Sequence, residues 1–114
     1  MMKASNLLVV AAIASTPAVA QNYPPQMQPV ADYSRCVQER AHAVAPKSAT
    51  VDDAIDVALT KCKGTRSKAV AAARARLVAL GTPANTAKQT AETMIASSDT
   101  SLRDQLRREL ATKK

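Results

Sequence analysis

The sequence has almost no aromatic side chains. Its 114 residues include no Trp, no Phe and two Tyr, Tyr23 and Tyr33. Alanine is the commonest apolar residue; it favours helix strongly but buries little area, and burial contributes only roughly 25 cal/mol per Å². This scarcity of large apolar side chains excludes a big hydrophobic core. We expect one small domain with a thin core, which needs a covalent link or a partner to be stable.

Motifs for catalysis and for cofactor binding are missing as well. The single histidine, His42, has no acidic cluster at a metal-ligand spacing, and no Ser or Cys lies in a known nucleophile motif. Structural zinc needs four ligands, whereas the sequence offers two thiols and one imidazole. Asp52, Asp53 and Asp56 fit the start of a helix better than a calcium loop, in which oxygen ligands alternate around a glycine turn. We therefore expect no enzyme, no cofactor and no metal site.

The one long apolar run, residues 7–14, is too short to span a bilayer, which takes roughly 20 residues. It follows Lys3 and precedes the small-x-small sequence AVA at 18–20, an order typical of a secretory signal peptide. We expect residues 1–20 to be removed by cleavage before Gln21. The alternative is a cytosolic protein with an apolar N-terminal helix.

Cleavage would leave a mature chain of 94 residues (114 less 20), with a net charge of +6 instead of +7 because Lys3 leaves with the signal. No later segment is long and apolar enough to span a membrane, and no Cys follows the cleavage site to carry a lipid anchor. We expect a soluble protein in a bacterial periplasm or outside the cell.

Two cysteines, Cys36 and Cys62, lie on either side of a turn expected at residues 45–50. They are about 9 and about 12 residues from it, so in an antiparallel helical hairpin they would face each other. Export to an oxidising compartment favours a disulfide, and closing this loop should contribute about 3–4 kcal/mol. The spacing is unlike the Cys-x-x-Cys of redox sites. Free thiols or an intermolecular disulfide are the alternatives.

The first part of the mature chain divides into an arm and a helix. Residues 21–31 hold three Pro and three Gln without an apolar period, which predicts a disordered arm. The arm is either a disordered terminus without a role or a segment that binds a partner. A first helix is predicted over 33–45, with Asp32 or Ser34 as its cap and Pro46 at its end.

The next helix has the clearest local signal in the chain. Thr50 with Asp53 three residues later resembles a capping box. The apolar stripe that follows keeps nearly the same phase past Gly64, so we expect one long helix over 51–80. Two separate helices are the alternative. Gly81 is expected to end it as a C-terminal cap.

Two more helices are predicted in the last third. Thr82 followed by Pro83 is a good helix start, and the helix should run to about Ser97. Ser98 or Asp99 can cap a last helix. One face of that helix carries three leucines: Leu102, Leu106 and Leu110.

No alternating strand pattern occurs in the mature chain, so the predicted fold is all-α. We expect a small disulfide-clipped helical hairpin with one or two further helices, forming a single domain over 32–114. The thin core leaves a homodimer open, with the leucine face of the last helix buried between two copies.

A basic stretch is the best functional candidate. It has no acidic residue between its first and last members, and its six cations are Lys61, Lys63, Arg66, Lys68, Arg74 and Arg76. Such a stretch favours an anionic partner: lipid headgroups, lipopolysaccharide or an acidic protein. A solvated helix face that keeps an Ala-rich protein soluble is the alternative. Nucleic acid is a poor candidate because no aromatic residues interleave the basic ones, and membrane binding is limited by the lack of Trp and Phe anchors.

The pattern Tyr33-x-x-Cys36, then Ala54-x-x-x-Ala58-Leu59-x-x-Cys62, then a basic Ala-rich helix, resembles small exported two-cysteine helical proteins of alphaproteobacterial type. The likeness covers roughly residues 1–80. It implies a location and an architecture, but no activity and no site residues.

Together these observations favour a non-enzymatic exported protein that binds another protein, such as an envelope protein, through a helical face. The alternative is a binder of anionic surfaces, membrane lipid or lipopolysaccharide, through the basic helix at 61–76.

Overall fold

The computed structural model describes residues 24–112, and this part of the chain is helical without a strand. The predicted all-α fold is therefore confirmed. The described residues form four α-helices and two short 3₁₀ turns: the turn Pro25–Met27, α1 Gln28–Val44, the turn Ala45–Lys47, α2 Val51–Lys61, α3 Lys63–Ala79 and α4 Ala84–Thr112.

The helices pack as a three-membered bundle in which α2 and α3 together make the middle member. Both α2 and α3 pack on α1, and α3 packs on α4. Contacts between Asp52 and Arg107, and between Arg66 and Asp99, show that α4 runs antiparallel to α2 and α3. The predicted helical hairpin is thus present, with α4 as a third member against it.

The chain is helical earlier than the sequence predicts. The disordered arm assigned to 21–31 is wrong from Pro25 onward, because residue 25 begins a 3₁₀ turn and residue 28 begins α1. Pro25 and Pro29 occupy the first or second positions of their helices, where a missing N–H costs nothing. Val30 packs on the core and supplies the apolar contact. Residues 21–23 and the predicted signal peptide at 1–20 lie outside the described residues.

The earlier start also displaces the predicted caps. Asp32 and Ser34 lie inside α1, and the Asp32 carboxylate accepts a hydrogen bond from the Gln28 side chain at 3.1 Å. The capping prediction at Thr50 is confirmed, since its hydroxyl oxygen accepts the Asp53 N–H at 3.0 Å. Local signals therefore locate the start of α2 correctly but not the start of α1.

The predicted long helix over 51–80 is interrupted at Cys62. This residue has φ −96° and ψ 18° and separates α2 from α3, whereas Gly64 lies inside α3. Cys62 is joined to Cys36 by the predicted disulfide, with an S–S distance of 2.09 Å and Cα atoms 6.0 Å apart. Backbone bonds continue across the interruption, because Cys62 N–H donates to Ala58 and Arg66 N–H to Cys62. We attribute the break to the covalent tie, which holds this one residue against α1.

The end of α3 is as predicted. Gly81 has φ +101°, a conformation that favours glycine. Its N–H donates to the Val78 carbonyl at 3.0 Å, and the Thr82 N–H donates to the Leu77 carbonyl at 2.9 Å. This pair of bonds is the Schellman motif. The next helix begins at Ala84, directly after Pro83.

α4 is one helix of 29 residues, so the predicted break near Ser98 and Asp99 is wrong. The apolar stripe keeps its phase on both sides of Ser98 and Asp99, and its buried members are Ala87, Ala91, Ile95, Leu102, Leu106 and Leu110. The leucine face proposed for a homodimer lies in the core of a single chain, with each leucine at most 5% exposed. A dimer interface on that face is therefore wrong as well.

The core is thin, as the composition predicts. Seven alanines are buried to 1% exposure or less: Ala41, Ala54, Ala58, Ala69, Ala73, Ala87 and Ala91. The largest fully buried side chains are Tyr33, Ile55, Ile95 and Leu106. Each buried alanine removes little apolar area from water, so the few large side chains matter most for the stability of the core.

Two leucine truncations test this core assignment. Leu106 is fully buried and Leu80 is 67% exposed. We expect Leu106→Ala to lower the free energy of unfolding by about 2–5 kcal/mol, because it leaves a cavity. Leu80→Ala should change it by less than about 0.5 kcal/mol. Urea denaturation measures both, and equal effects would contradict the placement of the leucine face in the core.

Candidate anionic-partner surface on helix α3

The Asp99 carboxylate joins three helices at one level of the bundle. It accepts a hydrogen bond from the Tyr33 hydroxyl of α1 at 2.5 Å and is contacted by Arg66 of α3, whose Nε and Nη2 lie 3.0 and 2.9 Å from it. Glu92 lies 3.7 Å from the same guanidinium. Tyr33 is 1% exposed, and the bond to Asp99 supplies the partner that its buried hydroxyl needs.

This arrangement changes the proton affinity of two side chains. Burial, together with the neighbouring Asp99 carboxylate, raises the pKa of Tyr33 far above its ordinary value. Burial lowers the pKa of Arg66, but the hydrogen bond and negative charge of Asp99 outweigh it and the pKa is raised. Tyr33 therefore stays neutral and Arg66 stays cationic over the physiological range.

A second set of contacts closes the other end of the bundle. Arg103 lies 2.8 Å from Asp56, and Arg107 lies 2.9 Å from Asp52, so α4 is tied to α2. His42 Nε2 lies 3.0 Å from Glu109 and ties α1 to α4. His42, the single histidine of the chain, is thus a neighbour of Glu109 in an interhelical contact.

These contacts occupy most of the acidic residues. Nine Asp and Glu are present in the chain. Seven of them lie within 4 Å of an Arg or His nitrogen: Asp32, Asp52, Asp56, Glu92, Asp99, Asp104 and Glu109. Most of the acidic residues are therefore paired, either between helices or along one helix, and the surplus of basic charge is left elsewhere.

Most of that surplus lies around α3. The sequence from residue 57 to residue 91 contains no acid, so the whole of α3 and the first two turns of α4 are free of negative side chains. Within the described structure, Arg66 is the one basic residue of α3 with an ion-pair partner. The basic stretch predicted from the sequence therefore divides, because Arg66 belongs to the internal network and not to a binding surface.

The remaining cations frame the outer face of α3. At about 100° per residue, Lys63 and Arg74 lie on one side of this face and Lys68 on the other. All three are exposed, and between them lie the exposed Ala71 and Ala75. We define the α3 outer face by these residues. The other two predicted site residues lie at its margins: Lys61 is exposed at the end of α2, and Arg76 is half-buried.

The network around Asp99 was not found from the sequence, although one signal was available. Asp99 lies four residues after Ile95 and three before Leu102, in the middle of the buried stripe of α4. A carboxylate at such a position needs a partner, which a cap assignment does not supply.

The groove between α1 and α4 offers little chemistry. It has a volume of about 470 Å³ and is lined by Ser, Gln, Met and Leu side chains and by no ionisable group. Among residues 24–112, no three His, Cys, Asp or Glu side chains are placed together to hold a metal ion. In the same part of the chain, no helix is both long enough and apolar enough to cross a membrane.

The raised pKa of Tyr33 gives a prediction for alkaline solution. The folded protein holds the phenolic proton more tightly than the unfolded chain, so the stabilisation is complete below pH 10 and is lost as the pH rises above it. The loss for one such group cannot exceed about 1.4 kcal/mol per pH unit. Tyr33→Phe should be less stable than the wild type at pH 8 but should lose less stability between pH 9.5 and about 11.5. Urea denaturation at each pH measures this, and parallel losses in both proteins would refute it.

Comparisons with known proteins give no relative for this chain. No family model matches it, and neither a curated protein nor a solved structure is similar to it. The surface on α3 is thus assigned from its own charges and geometry.

Proposed function

We propose that this protein is a non-enzymatic, exported interaction protein that binds an anionic partner through the α3 outer face. The observation that supports the proposal is the charge distribution. Seven of the nine acidic residues are paired and none lies between 57 and 91, while among the described residues Lys63, Lys68 and Arg74 have neither an ion-pair partner nor an acidic neighbour on α3. An acidic surface of an envelope protein is the partner we favour.

Salt screens the exposed charges of α3, and these charges are all of one sign. At physiological ionic strength, exposed charges interact over roughly 8 Å, so only a partner in contact with α3 senses them. A surface that serves solubility alone mixes charges of both signs. Here one sign is segregated on one rigid helix, which is the arrangement that complements an anionic patch and steers its approach.

Export is part of the proposal. The order of charge, apolar run and small residues at 1–20 favours a cleaved signal peptide. The disulfide between Cys36 and Cys62 is consistent with an oxidising compartment such as the periplasm.

The second candidate is binding to an anionic surface such as membrane lipid or lipopolysaccharide. It uses the same cations, and it is favoured by apolar side chains exposed at the end of α3, where Val78 is 47% and Leu80 is 67% exposed.

In-cell photo-crosslinking distinguishes the candidates. A photoreactive residue at Ala71 reports on the α3 outer face, and one at the exposed Ala43 of α1 is the positional control. We expect an adduct in the envelope fraction from position 71 and none from position 43. A named envelope protein in the adduct supports the first candidate, and lipid alone supports the second.

Charge variants make the same experiment specific. Lys63→Glu with Lys68→Glu and Arg74→Glu should abolish the adduct, because the face then repels an anionic partner. The matched control is Arg40→Glu with Lys47→Glu and Arg108→Glu, which makes the same change of charge at exposed positions elsewhere. Equal loss with both sets would show that net charge alone matters and would contradict a binding surface on α3.

A further inference from the structure

The turn between α3 and α4 exposes apolar side chains at the acid-free end of the molecule. Four large apolar side chains are exposed in the described structure, and the two most exposed, Val78 and Leu80, lie at this turn. The other two, Val57 and Met94, lie singly on α2 and α4. The Schellman bonds at Gly81 hold the turn in one conformation, so the exposure belongs to the fold and not to a loose loop.

Val78 and Leu80 are two residues apart, so they lie on opposite sides of the end of α3, and each has a cation one helical turn before it. Arg74 precedes Val78 by four residues and Arg76 precedes Leu80 by four, so each cation and its apolar neighbour share a side of the helix. Lys88 lies exposed in the second turn of α4. The nearest acidic residues along the chain are Asp56 and Glu92. We define the α3–α4 tip by Arg74, Arg76, Val78, Leu80 and Lys88.

We propose that the α3–α4 tip inserts into the surface of an anionic phospholipid bilayer. This inference rests on the proposed function, because the tip and the α3 outer face both bind an anionic partner. For the tip, that partner is lipid. Apolar side chains at the end of a helix, with cations one turn farther from that end, match the interface of such a bilayer, where acyl chains lie beneath phosphate groups. Val78 and Leu80 enter the boundary between headgroups and acyl chains, and the three cations contact the phosphates.

The tip has no aromatic residue, and this sets the depth and strength of the contact. With one Leu and one Val as its apolar part, the insertion is shallow and reversible and weakens as salt screens the cations. Binding therefore requires anionic lipid and is absent on neutral lipid.

Fluorescence tests the insertion directly. Because the chain has no Trp, Leu80→Trp introduces a single fluorophore at the tip, and Met94→Trp introduces the matched fluorophore at another exposed apolar position. With the purified oxidised protein and vesicles of phosphatidylcholine and phosphatidylglycerol, we expect a blue shift and quenching by brominated lipid for position 80 only. Vesicles of phosphatidylcholine alone should give neither. A shift at both positions, or at neither, overturns insertion by the tip.

Co-sedimentation with the same vesicles measures the energetic contribution of the tip. Val78→Ser with Leu80→Ser should weaken binding about tenfold, whereas Val57→Ser with Met94→Ser should leave it unchanged. Arg74→Gln with Lys88→Gln should weaken it about fivefold per charge, and Arg40→Gln with Arg108→Gln should have less effect. Circular dichroism confirms that each variant is folded.

The outcomes separate this inference from the proposed function. If anionic vesicles bind and the binding depends on Lys63 and Lys68 but not on Val78 and Leu80, tip insertion is overturned and the α3 outer face stands. If the wild type does not bind anionic vesicles at all, lipid is overturned as the partner of the tip. The crosslinking at position 71 then decides the proposed function by itself.

Discussion

The contact between Asp99 and Arg66 is the interaction on which the rest of the structure depends. It lies where α1, α3 and α4 meet, and the same carboxylate accepts the hydrogen bond of the buried Tyr33 hydroxyl. In a core where seven of the fifteen described buried residues are alanine, few side chains are large enough to fix the relative position of three helices. A carboxylate with three polar contacts provides a defined register, because an unpaired charge at this position would be costly.

This register has a consequence for the surface. Asp99 and Glu92 pair with Arg66, and Asp52 and Asp56 pair with the arginines of α4, so these acidic residues are used in contacts between helices even where, as at Asp52, Asp56 and Glu92, the side chain is more than half exposed. The basic residues that have no such partner are then concentrated on α3 and near its end. The charge pattern proposed for binding is thus a product of how the bundle is held together, and the α3–α4 tip adds two exposed apolar side chains to it.

Much of the fold was predictable because its signals are local. The cap at Thr50, the end of α3 at Gly81 and the facing positions of Cys36 and Cys62 follow from neighbouring residues and from hairpin geometry. The break at Cys62 was not, because it depends on a covalent tie to a residue 26 positions away. Asp99 is a residue type that often caps helices, but its partner Tyr33 is 66 positions away in the sequence. The sequence pattern alone therefore indicated a helix start at a point where α4 is continuous. Arg66 was grouped with the binding cations because its partner Asp99 is likewise distant in the sequence.

A double-mutant cycle on Arg66 and Asp99 tests the central claim most directly. Urea denaturation of Arg66→Gln, Asp99→Asn and the double variant should give a coupling free energy of about 1–3 kcal/mol, as for charged hydrogen bonds that are partly buried. The same cycle on Arg103 and Asp56, whose carboxylate is more exposed, should give less than about 1 kcal/mol. A coupling near zero for Arg66 and Asp99 would contradict the account, because the bundle would then keep its register without the contact.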